Sequence, residues 1–204
     1  MNKRGQSALT VIVGVIAILV IAALFLGMWI MGTYNSLVSL QTNTDAKWAN
    51  VQSAYQRRAD LIPNLVETVK GYKDFEHDTM VEVTEMRSQA GQAKIDVGSA
   101  KTPEQLQAAM SSLDNVLSRL MVVVEKYPDL KASTNFLALQ DELAGTENRV
   151  KVERDNFNAA CQTYNVAVRV FPANILANMF GFDPRTMFVA DEGSQKAPIV
   201  SFAE

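Results

Sequence analysis

The chain has 204 residues, a formal charge of −3, one histidine and one cysteine. Its mildly acidic balance lacks the clustered basic face that nucleic acid asks for, and argues against broad electrostatic adhesion to anionic lipid. Cys161 alone cannot close an internal disulfide, and His77 alone cannot supply the paired motifs of a di-metal bundle, so no metal or cofactor is expected.

Residues 5–44 carry no charged side chain, and residues 8–32 are almost continuously apolar. At a helical rise of about 1.5 Å per residue that run reaches roughly 37 Å, enough to cross a hydrocarbon core of about 30 Å. A cleaved signal peptide has a shorter apolar region and a small-residue cleavage site. This run instead ends in Phe25, Leu26, Met28, Trp29 and Met31. It is expected to be a retained anchor, with the lipid bilayer as partner through residues 8–32 and residues 1–7 as a short flank. Trp29 and Tyr34 stand where an interfacial aromatic belt falls. Lys3 and Arg4 on one side, against Lys47 on the other, favour a cytoplasmic N-terminus and an external bulk domain at the cell membrane.

Beyond the anchor, Leu37, Leu40, Trp48, Val51, Tyr55, Ile62, Leu65, Val69 and Tyr72 recur at steps of three, four or their sums, the helical period. Pro63 removes one donor and is expected to bend this helix without ending it. After Gly71 a second helix carries Phe75, Met80, Val83, Met86 and Ala90, and residues 91–102 read as a fraying end plus a loop. Thr102-Pro103-Glu104-Gln105 combines an N-cap, a proline at the first helical position and a glutamine placed for a capping box. A third helix follows with Leu106, Met110, Leu113, Leu117, Leu120, Val124 and Tyr127, closed by Pro128. Ser133 or Thr134 caps a fourth, whose stripe is Phe136, Leu139, Leu143, Val150, Phe157, Cys161, Tyr164, Val168 and Phe171, stopped by Pro172.

The first and fourth of these helices are about 39 residues each and the middle two roughly 22 to 24. Long, short, short, long with short connections is the signature of an up-down-up-down bundle. The expected fold is all-α. An N-terminal transmembrane helix continues into an antiparallel four-helix bundle over residues 33–171, and a short apolar tail occupies 172–204.

No catalytic constellation stands out. Asp74 and His77, three apart, superficially resemble a carboxylate–histidine metal pair, yet an exposed histidine near a helix start explains them as well. Cys161 lies on the apolar stripe and reads as a small buried hydrophobe. There is no glycine-rich phosphate loop and no serine in a nucleophile elbow. One polar cluster is unusual: Arg57, Arg58, Asp60, Asn64 and Glu67 crowd around Pro63, and Glu142, Glu147, Asn148 and Arg149 reach a comparable height in an antiparallel fourth helix. Two readings stand: a hydrogen-bonded polar layer that holds register, or a solvated face whose ion pairs each contribute a few tenths of a kcal/mol.

The last 33 residues differ in kind. Phe171, Ile175, Leu176, Met179, Phe180 and Phe182 form a short apolar helix with a glycine stop at Gly181, and further apolar patches follow at Phe188-Val189 and over 198–202. Such density implies docking on the bundle's base, the bilayer interface or another subunit, and the tail is expected to carry the chain's interactions.

The sequence resembles the LemA family of prokaryotic membrane proteins. The resemblance lies in Thr33 to Val38, in RRADLIPNLVETVKGY (57–72), in YPDLKASTNF (127–136), in LQDELAGTENRV (139–150), in FPANILANMFGF (171–182) and in the closing APIVSF. It implies an anchored antiparallel helical bundle and supplies no reaction. The expected function is a non-enzymatic membrane-surface scaffold or oligomeric assembly protein, with a second copy or another membrane protein as partner. The alternative is an accessory subunit of an envelope protease or transporter whose chemistry lies in the partner.

Overall fold

The computed structural model describes residues 3–72 and 75–189, with side chains from Ile12 onward. Asp74, the closing 197–202 run and the side chains at the start of the anchor lie outside the described residues. Within them are six helices and no strand: α1 Lys3–Lys70, α2 His77–Ser99, α3 Pro103–Glu125, α4 Pro128–Lys131, α5 Thr134–Arg169 and α6 Ala173–Phe180.

The helix boundaries follow from local chemistry. Pro63 sits inside α1, and the helix survives it because Ile62, Leu65, Val66 and Val69 stay in phase and are buried. Thr102 accepts a hydrogen bond from the Gln105 amide (3.3 Å). The Gln105 side chain reaches back to the Lys101 amide (2.9 Å), one residue earlier than in the usual capping box. Pro128 opens the short α4 rather than closing α3, which has already ended at Glu125. Ser133 is the residue whose hydroxyl caps α5, accepting from the Phe136 amide at 3.4 Å.

The loop expected within 91–102 is confined to residues 100–102. Helix α2 runs through Gly91 and Gly98 to Ser99 because Ala90, Ala93 and Val97 continue its buried stripe. Burial along that face offsets the roughly 1 kcal/mol that each glycine costs in a helix.

The chain forms two compact units. One comprises the chain up to Thr44 together with Gln162–Arg185. Its core is Leu37, Tyr164, Val168, Ala177 and Phe182, with Leu40 and Ala167 packed against it. Gly181 adopts the left-handed conformation (φ 74°, ψ 33°) that ends α6. The Phe182 amide then donates to the Ala177 carbonyl (2.9 Å), the Schellman pattern that returns Phe182 onto the helix end.

The other unit comprises Asp45–Cys161 and the chain from Thr186, and it is the antiparallel bundle. Its helix directions can be read from cross-helix pairs. Along α1 and α2, Gln56 lies near Gly98, Asp60 pairs with Lys94, and Glu67 with Arg87, so the numbers fall on one helix as they rise on the other. Trp48 meets Phe157 of α5 and Arg57 meets Glu142, again in opposite directions. Arg58 with Asp114, and Tyr72 with Tyr127, rise together, as parallel diagonal helices must. The core runs from Val51 to Val69 of α1 against Val83, Met86, Leu106, Leu113, Leu120, Phe136, Leu143 and Phe157.

Two stripe assignments shift. On α3 the centre passes through Val116 and Val123, while Leu117 is half-buried at the stripe's edge. Phe171 lies beyond the last residue of α5 and is 75 % exposed instead of buried. Leu120→Asp, which strands a charge among fully enclosed neighbours, should lower bundle stability by several kcal/mol. Val122→Asp, on the exposed face, should stay within about 0.5 kcal/mol. Thermal or urea unfolding of the full chain in detergent checks this; equal midpoints would contradict the stripe.

Candidate functional site

The polar cluster around Pro63 resolves into pairs that join α1 to each of its neighbours within the bundle unit. Arg57 pairs with Glu142 of α5 at 2.6 Å, Asp60 with Lys94 of α2 at 2.9 Å, and Glu67 with Arg87 of α2. These pairs are about half exposed, so each contributes only about 0–1 kcal/mol. Asn64 and Asn148 are exposed, and Arg149 belongs to no ion pair among the described residues.

Arg58 is different. Its side chain is only 12 % exposed, and its guanidinium bridges Asp114 of α3 (2.7 Å) and Glu147 of α5 (3.9 Å). Its Nε is buried with no partner. The expected layer paired α1 with the fourth helix alone. Asp114 was missed because it comes from the diagonal helix, which an antiparallel-neighbour argument does not consider.

Arg58 forms part of the wall of a groove of about 850 Å³ between α3 and α5. Arg58, Lys151 and Arg154 set three positive groups in it against Asp114, Glu147 and Asp155. Tyr55, Met110, Ala144, Val150, Phe188 and Val189 supply its apolar lining. Mixed charge beside an apolar lining suits a polypeptide more than a polyanion. Among the described residues no group of three or more His, Cys, Asp or Glu side chains is arranged to hold a metal ion. His77 is exposed at the first residue of α2, and Cys161 is buried.

Phe188 is the functional-looking residue that sequence reasoning placed only as a loose apolar patch. Its ring stacks on Tyr55 (6.2 Å, 10°) and Trp48 (6.0 Å, 27°) and meets Phe157 edge-on (5.7 Å, 75°). The Arg154 guanidinium lies 5.0 Å from the ring centroid. The backbone here lies outside any helix. Asn158 binds it with one amide: its Oδ1 accepts from the Phe188 N–H (2.9 Å) and its Nδ2 donates to the Phe188 carbonyl (3.0 Å). Arg154 Nη2 donates to the Val189 carbonyl (3.1 Å). In the other unit Asn165 holds Arg185 by the same two bonds, at 2.7 and 2.8 Å. The available signal was the seven-residue spacing of Asn158 and Asn165, two helical turns, beside the buried stripe.

The six tail residues divide between two faces of their unit. Leu176 and Phe182 are buried, whereas Phe171, Ile175, Met179 and Phe180 are exposed. Tyr34 of α1 meets Phe180 edge-on at 5.0 Å and Phe182 at 5.6 Å.

Asn158→Ala removes both bonds to Phe188 and should cost the clasped segment about 1–3 kcal/mol. The Phe188 amide should then exchange with solvent about tenfold or more faster, with helix content unchanged. Hydrogen exchange followed residue by residue reads this, and unchanged protection would show that ring packing alone holds the segment.

The LemA family model matches residues 47–202, a span that begins after the apolar run. Magnetosome protein MamQ 2 of Paramagnetospirillum magneticum is 28 % identical over 190 residues, covering 82 % of this chain and 68 % of that protein. Magnetosome protein MamQ of Magnetospirillum gryphiswaldense is 27 % identical over 188 residues, covering 82 % and 68 %. Protein LemA of Metamycoplasma hominis is 27 % identical over 162 residues, covering 79 % and 71 %. With three quarters of its length inside the family match, the chain belongs to the LemA family.

Proposed function

We propose that this chain is a non-enzymatic scaffold, anchored in the cell membrane by one helix, that binds a protein partner through its bundle. The observation that carries the anchor is the outward face of α1. From Ile12 to Met31 its large apolar side chains are exposed, with the half-buried Ile30 as the exception, and the stretch is apolar enough to cross a membrane. Leaving that area in water costs about 25 cal/mol per Å², and hydrocarbon removes the cost. The cations at Lys3 and Arg4 support a cytoplasmic N-terminus and an external bundle.

The partner reading draws on the groove between α3 and α5. A polar, mixed-charge surface beside an apolar lining is where a second polypeptide gains specificity, through charges matched in register. A second copy of this chain or another membrane protein fits that description.

Membranes carrying the full chain should retain it through carbonate and high-salt extraction, because a helix in hydrocarbon is not held by ionic contacts. Release of full-length protein by salt alone overturns the anchor. Protease added to spheroplasts should digest the bundle, and its protection reverses the orientation. Lys151→Glu should reduce a cross-linked or co-purified partner severalfold without moving the unfolding midpoint. No change in any partner contradicts the groove reading. A protease or transporter as the recovered protein would identify the chain as an accessory subunit.

A further inference from the structure

We propose that α6 is a second membrane contact, lying in the bilayer interface beside the point where α1 leaves the hydrocarbon. This rests on the reading of α1 as a membrane span and adds a surface of separate origin. Phe171, Ile175 and Met179 recur at steps of four and are 75, 57 and 64 % exposed; Val166 near the end of α5 and Val170 just beyond it are exposed as well. These apolar side chains face outward while Ala177 and Phe182 pack inward with Leu37, Tyr164 and Val168, and Leu176 is buried. The short helix is therefore apolar on both sides. One side is used by its own unit, and the other is left to a different medium.

Position identifies that medium. Tyr34 stands two residues beyond the apolar run that ends at Gly32, about 3 Å along the helix axis. Phe180 touches the Tyr34 ring at 5.0 Å, so α6 is held at the depth where the aromatic belt of a span meets headgroups. Eight residues of helix measure about 12 Å, too little for a stable protein interface, which buries roughly 1,000 Å² or more. A lipid surface sets no such threshold, because α1 already supplies the anchoring and α6 only has to settle beside it. Arg169 and Arg185 are exposed at the two ends of this segment, placed to keep their charges among headgroups while the apolar face sinks. Insertion is driven by apolar area, so it is compatible with the chain's mildly acidic charge.

Spin labels attached to single cysteines in the full chain, reconstituted in phosphatidylcholine–phosphatidylglycerol vesicles, test the proposal. Ile175→Cys and Met179→Cys report α6, Leu26→Cys reports the span and Val122→Cys gives a water-facing reference. The unsubstituted chain, with Cys161 in place, is the blank. The readout is collision with oxygen, which concentrates in lipid, against collision with a water-soluble nickel chelate. Labels at 175 and 179 should favour oxygen, as at 26, and the reference label should favour nickel. Nickel-favoured collisions at 175 and 179 with an oxygen-favoured 26 overturn the α6 proposal alone. Nickel-favoured collisions at 26 overturn the anchor itself. Spin–spin broadening at 175 and 179 that disappears on dilution with unlabelled chain would put a second copy, not lipid, on this face and also overturn the proposal.

Discussion

The apolar stripe of α1 from Val51 to Val69, with Tyr55, Ile62 and Leu65 all at most a few per cent exposed, is the surface around which the bundle unit is arranged. The hydrophobic effect that encloses it has no direction, so burial alone does not choose among sliding registers. Directional contacts at the rim make that choice. Lys94 and Arg87 fix α2 against Asp60 and Glu67, Glu142 fixes α5 against Arg57, and Asp114 fixes α3 against Arg58. Each pair is weak by itself, yet a shift of one helical turn would break several together. The polar texture around Pro63 is largely a solvated face whose ion pairs cross between helices.

Most of the helices were legible because their information is local. The period of apolar residues, the Thr102 cap with its proline and the glycine at 181 each act over a few positions, and each is where the sequence places it. The readings that failed depended on distant partners. Glycines at 91 and 98 look like the start of a loop until Ala93 and Val97 are seen to be buried. Arg58 does reach Glu147 of the fourth helix, but its second and shorter bond, to Asp114 56 positions away, was not foreseen. Phe188 looked like one more apolar residue in a tail, and only the fold assembles Trp48, Tyr55 and Phe157 into its receptor.

The tail is better understood as two devices than as one interaction segment. Ala177 and Phe182 complete a small core with Leu37 and Tyr164, while Ile175 and Met179 have no protein to cover them among the described residues. The family match covers residues 47–202, so α6 lies inside it, whereas the span and Tyr34 precede it. A helix that is apolar on two sides beside an apolar span is consistent with a single physical setting for both.

The two asparagine clasps have a consequence for which changes the C-terminal segment can tolerate. Asn158 and Asn165 each grip a main-chain N–H and carbonyl, so they recognise backbone rather than side chains at 188 and 185. Side-chain identity at 185 to 187, where every residue is exposed, is left free to drift without loosening either grip. Proline is the exception. At 185 or 188 it would delete the one donor each clasp requires, whereas Pro184, already next to a gripped position, deletes nothing. Sequence variation here should thus be permissive in chemistry and strict in backbone, with the two asparagines as the slow-changing positions.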